Sequence, residues 1–186
     1  FSNALKIVGE KYAVERDWGK LSNELRRRSL KAMLNLGDRE PPKYNFDDAH
    51  RFTLEALIKE NGLKDFTEDD IYAIAYKTPH NFKCWPDFPE VLPKLRKKFI
   101  VASFTILSYR LIVDTSKINN VSWDAVFSCE GIGAYKTLSK PYQTVASYLQ
   151  LKPNQCCMVA CHNFDLNAAK AVGYKTAFVR RPKEWG

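Results

Sequence analysis

Three polar clusters each follow an apolar run in the second half of the chain, and they offer a hydroxyl, an amine and a carboxylate. The first holds Ser103 and Thr105 within FIVASFTIL and Ser108 directly after it. The second is Ser128-Cys129-Glu130 after AVF, with Lys136 a few residues on. The third is Cys161-His162-Asn163 and Asp165, directly after Cys156 to Ala160 and directly before the helical pattern LNAAKAVG. An ammonium and a carboxylate held beside a hydroxyl can stabilise developing negative charge and orient a reacting group. Each residue also has a plainer reading. Thr105 suits a strand as a β-branched residue, and Lys136 suits a solvated surface. Asp165 is placed to cap the helix LNAAKAV, and His162 suits a hydrogen-bonding loop.

What would bring these clusters together is a parallel sheet. FIVASFTIL reads as a fully buried strand because it is apolar without alternation. AVFSC, QCCMVA and KTAFV read as further strands. FPEVLPKLRKK, the stretch 109–117, KPYQTVASYLQL and LNAAKAVG read as the helices around them. Strand–helix alternation predicts parallel strands with right-handed crossovers, and ligands then bind outside the carboxyl ends of the strands. The first part of the chain reads as helical throughout. LSNELRRRSLKAML spaces Leu21, Leu25, Leu30, Met33 and Leu34 for one face. REPPKYNFDD is a loop in which Asn45 or Asp47 caps the next helix, Gly62 ends that helix, and Thr67 caps FTEDDIYAIAY. The predicted fold class is α/β, a doubly wound (Rossmann-like) parallel-sheet core over residues 81–186 preceded by a helical segment over residues 1–80.

At 186 residues, with 45% hydrophobic and 13% aromatic content, the chain can bury a real core. No apolar run is long enough to span a membrane. The formal charge of +8 fits a small anionic partner or a solvated basic surface such as KLRKK. No zinc-finger spacing or aromatic RNA-binding signature accompanies it, so nucleic acid is not expected. The five cysteines are odd in number and scattered, without a CxxC. The adjacent Cys156 and Cys157 read as small buried hydrophobes, which favours a reducing, cytoplasmic setting. The chain starts at Phe1 with neither Met nor a signal-like segment, and is expected to be processed, trimmed or partly read.

The order of strand-end hydroxyl, lysine and aspartate resembles the haloacid dehalogenase superfamily, and within it the type II 2-haloacid dehalogenases of fungal type. HNFDLNAAKAVGYKTAFVRRPKEWG is similar to that group's last motif, and AYKTLSKPY to its lysine motif, with Tyr142 six residues after Lys136. DDAHRFTLEALIKENGL and CWPDFPEVLPKL resemble its helical cap and the return into the core. The resemblance implies an α-helical cap domain over residues 1–80 and hydrolysis of a small organic 2-halo acid through an aspartyl ester. It implies Thr105 as the second-motif hydroxyl, with Ser103 as the other register. It implies Lys136 as the neutraliser of the nucleophile and Asp165 as the fourth-motif acid. Arg26 falls where the cap's anion-handling arginine stands, Leu25 replaces the preceding tryptophan, and Arg27 and Arg28 compete for the role. His162 and Asn163 are implied as substrate-side neighbours. No metal or other cofactor is implied, whereas a phosphatase-like relative would need Mg²⁺.

The family's nucleophile is an aspartate in a D-x-x-G-T-type stretch on a strand before the cap. These 186 residues contain no such stretch, since Asp17 sits in a helical pattern before Trp18-Gly19-Lys20. Ile106, not Asn, follows Thr105, and no proline follows Lys136 directly. The expectation is therefore a core without its first strand, with the nucleophile missing from the given chain. The alternative is a repurposed or non-hydrolytic protein that uses the cleft for binding or different chemistry. Exposed strand edges in such a core invite homodimerisation or another chain.

Overall fold

Apolar residues spaced about four apart turn the first part of the chain into helices that share one core. The structure, a computed structural model, describes residues 1–34, 44–182 and 184. Helix α1 (Ser2–Lys11) buries Leu5 and Val8, and α2 (Trp18–Leu34) buries Leu21, Leu25, Ser29 and Met33 along one stripe. The predicted face of α2 is shifted: Leu30 and Leu34 are half-buried, and Ser29 turns inward to donate to the Ala49 carbonyl. Gly9 lets the two helices close, because a Cβ there would stand 2.1 Å from the Trp18 ring.

Helix α3 (Phe46–Glu60) starts at a capping box: Asn45 accepts from the Asp47 and Asp48 amides, and Asp48 accepts from the Asn45 amide. Asn45 is thus the cap, and Asp47 faces elsewhere. Residues 39–43 of the predicted loop lie outside the described residues. Gly62 follows the end of α3 with φ +66°, a left-handed conformation that suits glycine. Thr67 caps α4 (Glu68–Tyr72) in a second capping box with Asp70. The chain then runs through a π-helical turn, Ala73–Lys77, into the short α5 (Thr78–His80).

After α6 (Phe88–Arg96) come β1 (Ala102–Thr105), α7 (Tyr109–Ile118), β2 (Ala125–Ser128), α8 (Cys129–Ile132) and α9 (Ser139–Tyr148). β3 (Cys157–Ala160), α10 (Asn163–Ala171) and β4 (Lys175–Phe178) complete the order. The expected parallel α/β pattern is present: β1 pairs with β2 and β3 with β4, both parallel, with Phe104 opposite Phe127 and Ala160 opposite Phe178. The two pairs do not join into one ladder. FIVASFTIL is not a fully buried strand: only its middle is extended, and Phe99 and Ile100 are 63% and 59% exposed. Cys156 is half-buried and Cys157 exposed, against the expectation of two buried thiols. The reason is coverage. Strands are buried on both faces only where helices lie on both. Tyr142 and Ala146 of α9 and Ala169 of α10 cover the Met158 face, while Val159 on the other face is 55% exposed.

The helical cap and the α/β core meet in a shared apolar cluster of Met33, Phe46, Ala49, Leu111, Cys129 and Tyr135. A polar chain runs beside it. The Ser108 hydroxyl donates to Asp47 at 2.5 Å, and His80 lies 3.2 Å from Asp47 and 2.8 Å from Asp114. Nearby, His50 is buried against the rings of Phe1 and Phe46, and its Nδ1 has no hydrogen-bond partner among the described residues.

Burial, reinforced by the charge of His80, pushes the His50 pKa down to about 3. The folded protein therefore keeps His50 neutral while the unfolded chain takes up a proton below about pH 6.5. Stability contributed this way is complete above that pH and is lost as pH falls toward 3, at up to about 1.4 kcal/mol per pH unit. His50→Leu is expected to be less acid-sensitive. Urea unfolding at pH 7 and pH 4.5 should show the wild type losing about 2–3 kcal/mol more than the variant between those two values.

Candidate active site

The carboxyl ends of β1 and β3 converge on one buried ammonium. Lys136, between α8 and α9, is only 5% exposed. Its Nζ donates to the Phe104 carbonyl of β1 at 3.0 Å and to Asp165 Oδ2 at 2.8 Å, and lies 4.2 Å from the Phe104 ring centre. The other Asp165 oxygen accepts from the Tyr142 hydroxyl at 2.6 Å, and the Tyr142 ring stands edge-on to Phe104 at 5.2 Å. One helix residue thus touches both strand systems. Burial draws the Lys136 pKa below its ordinary value, and the charge of Asp165 opposes that. Burial pushes the Cys129 thiol, felt by Lys136, up to about 11, which keeps it neutral at physiological pH.

The plainer readings of Lys136 and Asp165 fail. Lys136 is no surface residue, and Asp165 does not cap α10. His162 stands at the N-cap without a side-chain cap bond, and Asp165 lies in the first turn because Lys136 and Tyr142 hold its carboxylate. Thr105 ends β1 next to Phe104, but its hydroxyl accepts from the Leu107 amide at 3.0 Å and shapes a turn. Ser103, the other register, is buried. Arg27 and Arg28 pair with Glu24, and Arg28 also with Glu60, so neither competes with Arg26. Arg26 reaches from α2 to Glu184, where its guanidinium donates to both the side-chain carboxylate and the carbonyl. His162 Nε2 lies 3.6 Å from the same carboxylate, and Asn163 is exposed at the start of α10.

Two participants had no sequence signal. Glu184 lies within the last motif without standing out, and the Phe104 carbonyl is invisible in a side-chain pattern. Tyr142 was legible only through its spacing from Lys136. A cavity of about 320 Å³ lies elsewhere, lined by Asp47, Arg51, Tyr72, Tyr76 and Arg110 and by none of the residues around Lys136. Convergent charge outweighs its size as a guide to chemistry.

No protein-family model matches the chain. A curated relative, the (S)-2-haloacid dehalogenase 4A of Burkholderia cepacia, is 29% identical over 141 residues, covering 73% of this chain and 57% of that protein. The chain therefore spans little more than half the length of that relative. A solved L-2-haloacid dehalogenase is 28% identical with a TM-score of 0.86, over 100% of this chain and 80% of the other. A defluorinating L-2-haloacid dehalogenase is 27% identical with a TM-score of 0.87, over 100% of this chain and 76% of the other. The chain is similar in sequence and in fold to these L-2-haloacid dehalogenases. The L-2-haloacid dehalogenase of Xanthobacter autotrophicus with chloropropionic acid covalently bound, at 18% identity and TM-score 0.82 over 98% of this chain and 73% of the other, agrees in fold.

Lys136 and Asp165, which the resemblance put in separate motifs, are in direct contact. No helix among the described residues is long and apolar enough to cross a membrane. Breaking one side of the buried pair leaves the other charge unmet, so Lys136→Met and Asp165→Asn are each expected to cost about 3–5 kcal/mol. The double variant should cost clearly less than their sum. Urea unfolding of the four proteins measures the coupling, and additive losses would contradict a paired, buried ammonium.

Proposed function

We propose that this chain serves the hydrolysis of a small 2-halo carboxylate through an ester on an aspartate that is not among these 186 residues, with the cap over residues 1–80 and the core over residues 81–186. The observation that carries the reading is the Lys136 ammonium. It is buried, charge-matched on one side by Asp165, and set against a β1 edge whose Phe104 carbonyl turns away from β2. Among the described residues Asp165 is the one carboxylate on Lys136, and both its oxygens are engaged. In this reading the attacking carboxylate meets Lys136 between β1 and β3, where the two strand pairs are not joined.

The carboxylate oxygen attacks C2 from the side opposite the halogen. The C–O bond forms as the carbon–halogen bond breaks, and the halide leaves with the bonding pair. Water then attacks the ester carbonyl carbon and frees the 2-hydroxy acid. Lys136 keeps the nucleophile ionised and meets the negative charge that builds on the ester carbonyl. Asp165 and Tyr142 fix the ammonium in place. Arg26 grips the substrate carboxylate, and its present two-point hold on Glu184 supports that role. Thr105, His162 and Asn163 line the approach. The net charge of +8 favours an anionic substrate. No step requires a metal.

The other reading, a cleft that binds without turnover, is favoured by the lack of a second carboxylate on Lys136 among the described residues. Halide release from 2-chloropropionate separates the two. Turnover should persist with a chelator present, fall by about 10²–10³ in Lys136→Ala, and lose affinity rather than rate in Arg26→Lys. Ligand binding that is unchanged by Lys136→Ala and Asp165→Asn, with no halide released, would establish the binding reading instead.

A further inference from the structure

The parallel pairing of β3 with β4 sets their exits side by side, with the Val179 amide donating to the Ala160 carbonyl. Beyond that bond the two exits present a thiol, an imidazole and a carboxylate to one another. Cys161 Sγ lies 3.7 Å from His162 Nε2, and His162 Nε2 lies 3.6 Å from Glu184 Oε1. All three ligand atoms fall within 4.8 Å of one another, and all three residues are half-buried. The imidazole is oriented by stacking on Phe164 at 5.3 Å and 9°.

Two of these separations are close to those of a coordination shell. Tetrahedral zinc with a sulfur at about 2.3 Å and nitrogen or oxygen at about 2.0–2.1 Å places its ligand atoms about 3.3–3.6 Å apart. The thiol–imidazole and imidazole–carboxylate separations are within a few tenths of an ångström of those values, and a side-chain adjustment of up to about an ångström brings the thiol and the carboxylate onto the same ion. We infer that Cys161, His162 and Glu184 form a binding site for a zinc-class divalent ion at the joint exit of β3 and β4. On binding, the Cys161 thiol releases one proton to solvent and ligates as thiolate. A thiolate and an imidazole select Zn²⁺ or Co²⁺ over the hard ions Mg²⁺ and Ca²⁺. Three protein ligands leave a fourth position for water or an anion. The Arg26 guanidinium lies on the same Glu184 carboxylate and competes with the ion for it. The inference does not depend on the dehalogenation chemistry proposed above.

The test is metal binding by the reduced protein, followed by calorimetry with Zn²⁺ and by absorption with Co²⁺. The wild type should take up one equivalent, and its cobalt form should show tetrahedral d–d bands with a thiolate charge-transfer band. Cys161→Ser and His162→Gln should each weaken Zn²⁺ binding by about tenfold or more. Arg26→Gln should tighten it by removing the competing cation. Cys157→Ser, which alters the exposed thiol on β3, should leave it unchanged. An octahedral cobalt spectrum without the thiolate band would overturn the site in the unmodified protein, whatever the variants do. So would Zn²⁺ affinity retained in Cys161→Ser or lost in Cys157→Ser.

Discussion

Taking a lysine ammonium out of water costs several kcal/mol, and Lys136 meets that cost from two directions at once. Asp165 supplies the counter-charge from the first turn of α10, and the Phe104 carbonyl supplies an acceptor from β1. Those two groups belong to separate strand pairs. The ammonium therefore ties together two pairs that share no hydrogen-bonded ladder. Tyr142 does the same from below, with its hydroxyl on Asp165 and its ring on Phe104. A charge that fixes the spacing of two strand edges also fixes the place where an attacking carboxylate would be met by a cation.

The rest of the molecule keeps that point dry and correctly covered. The α2 and α3 helices pack through a stripe running Leu21, Leu25, Ser29 and Met33, and Met33 continues into the cluster with Leu111 and Cys129 of the core. The helical part is thus seated on the strand-bearing part by apolar contact and by the Ser108–Asp47–His80–Asp114 chain. Arg26 on α2 is carried by this seating to the exits of β3 and β4, where Glu184 receives it. The helical part thus carries one cation, Arg26, to the strand exits, and the strand-bearing part buries another, Lys136.

Local signals were readable where a residue's role is set by its neighbours in sequence. Asn45 and Thr67 cap helices because a short side chain reaches amides two and three residues on, and Gly62 stands where φ is positive. Lys136 and Asp165 were readable through their positions after strand ends. Their contact was not, because 29 residues separate them and only the folded strands bring them to 2.8 Å. The misreadings have one physical origin. FIVASFTIL and Cys156-Cys157 have the composition of buried strands, and burial depends on what covers them rather than on their own pattern. The plainer alternative for Asp165, a helix cap, fails because Lys136 and Tyr142 take up its carboxylate. Glu184 gave no sign, since its partners Arg26 and His162 come from a distant helix and another strand exit.

The central claim is that Lys136 serves a carboxylate delivered between β1 and β3, and isotope transfer tests it most directly. A single turnover of 2-chloropropionate in ¹⁸O-water, followed by peptide mass mapping, locates the oxygen that water leaves behind. The account predicts one ¹⁸O in an aspartate other than Asp165, none in Asp165, and a product hydroxyl that carries ordinary oxygen. An unlabelled protein with ¹⁸O in the product, or label in Asp165, would contradict it.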